Sequence, residues 1–237
     1  MPPTRRVEVR VPRRHVCSHP SIATAKGQVG SILLRPSEPR ALYVMAHGAG
    51  AGMTHAFMEA MAEELVACDI ATLRFNFPYA EAGKRAPDPQ KILLATIVAA
   101  TDKGRALCPD VPLIVGGKSM GGRMTSEAVA QGAIDQPAGV VFLGFPLHAP
   151  GKASDVRGEH LARVVCPMLF FQGTRDPFAD LALLRPLLGR IPAASTLHVV
   201  EGGDHGFAVP KRSGRTADEV RRGIAAAFSA WLSGQSL

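Results

Sequence analysis

Three glycine-rich stretches hold residue types that could carry out nucleophilic catalysis. The first is Gly116-Gly117-Lys118-Ser119-Met120-Gly121-Gly122. It follows an apolar run and precedes a helix-like segment, so it reads as a sharp strand-to-helix turn of the G-x-S-x-G kind, with Ser119 at the tip. Such a turn strains its central residue. Residues two positions to either side must be small or their side chains collide, and Gly117 and Gly121 meet that need. The helix N-terminus behind Ser119 would favour developing negative charge. A rival reading takes Gly117-Lys118-Ser119 as the end of a phosphate-binding loop. That motif needs a glycine five residues before Gly117, where this chain has Pro112, followed by the strand-like Leu113, Ile114 and Val115.

A serine hydroxyl needs a base to take its proton. The candidate is His205, in Gly202-Gly203-Asp204-His205-Gly206-Phe207, a loop after the last strand-like run. Of the other histidines, His15 and His19 come too early, His198 lies inside a strand-like run, His47 and His55 flank the early glycine loop, and His148 and His160 fall between late strands. The acid candidate is Asp176, in Gly173-Thr174-Arg175-Asp176-Pro177-Phe178. It would accept the other ring N–H of His205 and so fix its tautomer. The competing account is that Asp176 only caps a helix begun by Pro177. Asp155 is the second choice for the acid and Asp204 the third. The last stretch, His47-Gly48-Ala49-Gly50-Ala51-Gly52, could aim a backbone N–H at a carbonyl oxygen turning negative; that donor is assigned to Ala49, with Met120 as the second. As a dinucleotide fingerprint it fails, because Met53 stands where the third glycine belongs.

Residues scattered this widely must be gathered by a scaffold. Val7, Val9 and Val11 alternate with charge like an edge strand, with Gln28–Leu34 as its hairpin partner. Strands are expected at Ala41–Ala46, Ile70–Phe75, Val111–Val115, Ala138–Phe145, Met168–Gln172 and Thr196–Val200. Helices are expected at Thr54–Ala67, Lys91–Leu107, Met120–Ala130 and Phe178–Leu188, with Pro78–Pro89 as loop. A last helix starts at the capping box Thr216-Ala217-Asp218-Glu219. The alternation predicts an α/β fold, a three-layer α/β/α sandwich around a mostly parallel sheet of about seven to eight strands. No linker or repeat divides residues 1–237, so one domain is expected.

Composition narrows the partners. Hydrophobic residues are 46% and charged residues 20% of the chain, which excludes wholesale disorder. No apolar run reaches the roughly 18 residues that span a bilayer, and the start lacks a secretory apolar segment, so no membrane partner is expected. The net charge of +7 comes without a nucleic-acid-binding motif and with only 5% aromatic residues, so nucleic acid is not expected either. Cys17, Cys68, Cys108 and Cys166 are far apart and form no Cys-x-x-Cys pair. They read as reduced thiols of a cytoplasmic protein, without a metal site. The sequence carries no signal for an oligomeric state.

Together, His47-Gly48-Ala49-Gly50, the elbow around Ser119, Gly173-Thr174-Arg175-Asp176-Pro177 and Gly203-Asp204-His205 resemble the α/β-hydrolase superfamily in residue order, from about residue 25 to 235. The resemblance is strongest to small lidless members of the dienelactone-hydrolase-like group and to the testis-expressed, NSL-complex-subunit-like branch, which Asn76-Phe77-Pro78-Tyr79 and Phe145-Pro146-Leu147-His148 also resemble. Typical dienelactone hydrolases use a cysteine where this chain has Ser119, which speaks against lactone-specific chemistry. Dehalogenase relatives use an aspartate there. Residues 146–166 are too few for a helical lid, so the resemblance implies an open site and small acyl substrates.

The expected function is a serine hydrolase of small carboxylic esters or thioesters, with catalytic Ser119, His205 and Asp176, oxyanion donors Ala49 and Met120, and no cofactor. The alternative is a non-catalytic scaffold on the same fold. Candidate pocket walls are His55, Phe77, Tyr79, Phe145, Leu147, Phe178 and Phe207, of which Phe77, Tyr79 and Phe207 are selected. Lys84 and Arg85 could meet a substrate carboxylate, although a solvated loop face is the preferred account.

Overall fold

The computed structural model describes residues 15–135 and 137–235. The strand expected at Val7–Val11 lies outside the described residues. The chain runs β1 (His15–Ser18), β2 (Ser21–Thr24), β3 (Gly27–Pro36), β4 (Ala41–Ala46), α1 (Ala56–Val66), β5 (Ile70–Phe75), α2 (Pro78–Glu81), α3 (Gln90–Leu107), β6 (Leu113–Lys118), α4 (Met120–Ala130) and β7 (Gly139–Leu143). It continues through a 3-10 segment (Val156–Arg163), β8 (Met168–Gly173), α5 (Leu181–Gly189), β9 (Ser195–Val200), a 3-10 turn (Lys211–Ser213) and α6 (Ala217–Ser233).

Along the sheet the strands lie in the order β1-β3-β5-β4-β6-β7-β8-β9, with β2 also paired to β3. From β5 to β9 the pairings are parallel, and β3 joins β1, β2 and β5 antiparallel. The parallel strands β4, β5, β7 and β8 are buried along their full length, which is why their sequences are near-continuous apolar runs. Both faces are covered. Met58, Met61, Leu65 of α1 and Ile224, Phe228, Trp231 of α6 pack on one side. Leu93, Ile97 of α3, Met124, Ala128 of α4 and Leu184, Leu187 of α5 pack on the other. The architecture is the α/β/α sandwich that the alternation predicted.

Several boundaries differ, each for a local reason. The hairpin partner of β3 is β2, joined to it through a turn at 25–26. That strand was missed because Ser21-Ile22-Ala23-Thr24 has a single large apolar residue, Ile22. Strand β6 runs on through Gly116, Gly117 and Lys118 instead of stopping at Val115. Pro78 opens a one-turn helix inside the segment expected as loop. Helix α5 starts at Leu181 rather than Phe178, because the Asp180 carboxylate accepts the Ala182 N–H as its cap. The capping box at Thr216 and Glu219 forms, each side chain bonding the other's backbone N–H.

The strand order reverses between β4 and β6: the chain turns outward from β4 to β5, then returns to β6 on the other side. In open α/β sheets the crevice beyond the carboxyl ends of the strands at such a point is where ligands bind. The glycine loop 48–52 follows β4, and Ser119 follows β6.

Candidate active site

Ser119 sits between β6 and α4 with φ 51° and ψ −119°, a left-handed backbone that non-glycine residues rarely adopt. The surrounding packing enforces it. A Cβ on Gly117 would stand 2.1 Å from the Ala46 carbonyl oxygen, and one on Gly121 2.4 Å from the same atom. Only glycine lets the elbow close onto β4.

The Ser119 Oγ lies 2.8 Å from His205 Nε2, and His205 Nδ1 lies 2.8 Å from Asp176 Oδ2. These residues are supplied by the carboxyl ends of β6, β9 and β8. The Asp176 side chain is fully buried. Its Oδ2 also accepts from the Gln172 amide at 2.6 Å, and its Oδ1 accepts the Phe178 N–H at 2.8 Å. With Asp176 accepting from Nδ1–H, Nε2 is left to accept from the hydroxyl.

The other acids are placed elsewhere. Asp155 is at the surface, 2.7 Å from Arg190. Asp204 holds its own turn, its Oδ1 accepting the Gly206 and Ala208 N–H groups.

The loop after β4 is held by His47, which is completely buried. Its Nδ1 donates to the Gly48 carbonyl at 2.8 Å, while Nε2 accepts the Phe77 N–H at 3.2 Å. Burial, more than any neighbour, pushes its pKa down to about 4, so the ring is neutral and holds the tautomer that both bonds require. Gly48 lies against the elbow; a Cβ there would be 3.6 Å from Ser119 Cβ. Ala49 lines the cleft above Ser119, and Met120 opens α4, where the first-turn amides have no intrahelical acceptor.

The cleft over Ser119 has a volume of about 370 Å³. Its walls include Ala49, Ala51, Phe57, Met58 and Phe178, with His55, Lys118 and His205 as ionisable groups. Of the selected walls, Phe77, Tyr79 and Phe207 are all buried and do not line it. Phe77 and Tyr79 pack instead against the His47 ring, and Phe207 against Phe57. The Tyr79 hydroxyl reaches the Gly48 carbonyl at 3.4 Å. Phe145 and Leu147 are core as well. Gln172 and Phe57 were missed by sequence reasoning. Gln172 lies four residues before Asp176 at the end of an apolar strand, where a buried amide needs a polar partner.

A second serine–histidine contact exists. Ser126 Oγ on α4 lies 2.7 Å from His160 Nε2, with Glu127 Oε1 3.4 Å from Nδ1. Ser126 and His160 are buried, and the hydroxyl also reaches the Arg123 carbonyl at 2.9 Å, which competes for its single proton. Among the described residues, no group of three or more His, Cys, Asp or Glu is placed to hold a metal ion, and no helix is long and apolar enough to cross a membrane.

A family model described as the alpha/beta hydrolase domain matches residues 39–233. The chain belongs to this family. A dienelactone hydrolase from Anabaena variabilis superposes with a TM-score of 0.74 at 19% identity, over 93% of this chain and 98% of that one. A lidless α/β serine hydrolase from Xanthomonas campestris superposes with a TM-score of 0.70 at 19% identity, over 92% and 96%. These likenesses establish the fold. A curated Mycobacterium tuberculosis protein, provisionally named a phosphoribosyl transferase, is 30% identical over 186 residues, covering 77% of this chain. The chain spans about 40% of the length of that relative.

Proposed function

We propose that this α/β-hydrolase is a serine hydrolase of small carboxylic esters or thioesters, working through an acyl-enzyme. The observation that supports it is the continuous chain Ser119–His205–Asp176, with both links at 2.8 Å, at the floor of an open apolar cleft.

In this reading Ser119 Oγ attacks the acyl carbonyl as His205 Nε2 takes its proton. Asp176 holds the ring and stabilises the imidazolium that forms. The N–H groups of Ala49 and Met120 receive the oxyanion; a donor of this kind is typically worth about 10²–10³ in turnover. His205 returns the proton to the leaving alcohol or thiol. Water, deprotonated by the same ring, then attacks the acyl-enzyme and releases the acid. The proposal takes residues 1–237 as one catalytic domain acting on a small molecule in the cytoplasm. Phosphoribosyl transfer is not carried over from the mycobacterial relative, well over half of which lies outside the match.

The test is a series of p-nitrophenyl esters of increasing acyl length beside matched thioesters, with fluorophosphonate labelling of the wild type and Ser119→Ala. Rates that fall with acyl length and stoichiometric labelling lost in Ser119→Ala are expected. Absence of labelling in well-folded wild type would favour a non-catalytic scaffold.

A further inference from the structure

Lys118 is a partly buried cation with no part in the mechanism above. It is the last residue of β6 and immediately precedes Ser119. Its side chain turns into the cleft beside Ser119 and His205, between the rings of Phe57 and Phe207, whose centroids lie 5.8 and 5.4 Å from Nζ. Nζ donates to the backbone carbonyl of His205 at 2.5 Å, its one hydrogen bond among the described residues.

The segment it reaches is a stiff unit. Asp204 Oδ1 accepts the N–H groups of Gly206 and Ala208, Asp204 N–H donates to the Ala208 carbonyl, and Phe207 N–H donates to the Asp204 carbonyl. Phe207 is held at φ 64°. The loop after β8 also holds this turn, through Arg175 N–H to the Gly203 carbonyl and Asp176 to the His205 ring, while Lys118 is a side-chain bond to it from the strand that ends at Ser119. We propose that Lys118 is a positioning residue that fastens the base turn to the nucleophile elbow through the His205 carbonyl. The inference rests on the reading of Ser119 and His205 as nucleophile and base.

The surroundings suit a charged tether. Asp176, from the loop after β8, and Asp204, from the loop after β9, favour the ammonium. His55, ahead of α1, and His205 are the other titratable groups of the cleft wall. Burial nevertheless draws the ammonium's pKa down to about 8, so the charge-assisted bond weakens as pH rises past that point.

The experiment compares wild type, Lys118→Met and Lys118→Arg with p-nitrophenyl acetate on either side of pH 8. In Lys118→Met, kcat is expected to fall about 10–100-fold with KM within about twofold, the pattern of a displaced base. Wild-type kcat should decline above pH 8, and Lys118→Arg, cationic throughout, should keep most of kcat without that decline. Should Lys118→Met fail to fold, persistence of the decline in Lys118→Arg overturns the proposal. Wild-type kcat in folded Lys118→Met also overturns it. A wild type inactive on every ester would instead count against the hydrolase reading. The tether is then read from the ring-nitrogen NMR signals of His205, identified by their loss in His205→Gln. A shift in Lys118→Met supports the tether, and unchanged signals overturn it.

Discussion

Gln172 donates its side-chain N–H to the Asp176 carboxylate at 2.6 Å, and its amide oxygen accepts the Phe145 N–H at 2.9 Å. The amide thus orients the acid and satisfies a buried backbone donor on the neighbouring loop. Gln172→Leu removes both bonds. Stability should fall by about 1–3 kcal/mol, the usual cost of stranding a buried donor. Turnover should fall about tenfold at nearly constant KM, because the acid loses orientation while the cleft is untouched. Urea unfolding and steady-state kinetics on the same sample check this; wild-type turnover in the variant would contradict it.

The strained backbone at Ser119 has a measurable counterpart. A residue held in such a region typically costs about 1–3 kcal/mol, and glycine escapes most of it. Ser119→Gly and Ser119→Ala both lose the hydroxyl and its bond to His205. Ser119→Gly should nonetheless be about 1 kcal/mol more stable than Ser119→Ala, and both should be inactive. Equal denaturation midpoints would mean that the elbow stores no strain.

Gly121→Ala and Gly223→Ala should diverge. The first brings a methyl group to 2.4 Å from the Ala46 carbonyl oxygen, so either β4 or α4 must move. Loss of soluble protein, or of fluorophosphonate labelling, is expected. Gly223 lies exposed in α6 with nothing near the added carbon, so alanine there should stabilise by about 0.5–1 kcal/mol through helix propensity. Thermal melts of the two variants provide the comparison.

Acid should weaken the fold through two histidines. Burial is the leading cause that lowers both His47 and His160 to about 4, against about 6.5 when unfolded. The unfolded chain therefore takes up protons first as pH falls, and stability drops between about pH 6.5 and 4. Each ring contributes on the order of 3 kcal/mol by the lower limit. His160→Gln should flatten the dependence relative to wild type when urea midpoints are plotted against pH. An unchanged slope would remove His160 from the account.

What could be read from the chain, and what could not, divides along a physical line. Ser119, His205 and Asp176 each follow an apolar run that becomes a parallel strand, and the glycines beside Ser119 are demanded by local sterics. Such features are written within a few residues. The cleft walls are not. Phe77 and Tyr79 are expected as pocket walls, yet they pack against the His47 ring, whose Nε2 accepts the Phe77 N–H. Phe57 reaches the cleft only because α1 begins beside the elbow, a relation between distant segments. Lys118 looked like part of a failed phosphate motif; its reach to the His205 carbonyl joins positions 87 apart in the chain. Strand β2 was missed because pairing with β3, rather than its own pattern, makes it a strand.

The pair Ser126–His160 at 2.7 Å, with Glu127 3.4 Å from the other ring nitrogen, repeats the residue classes of the proposed triad with a looser carboxylate link. His160 is carried by the 3-10 segment and Ser126 by α4, both are buried, and the serine proton has another claimant in the Arg123 carbonyl. Proximity searches for a serine, an imidazole and a carboxylate would therefore score this molecule twice. Access for an incoming electrophile is the criterion that separates the proposed constellation from its lookalike.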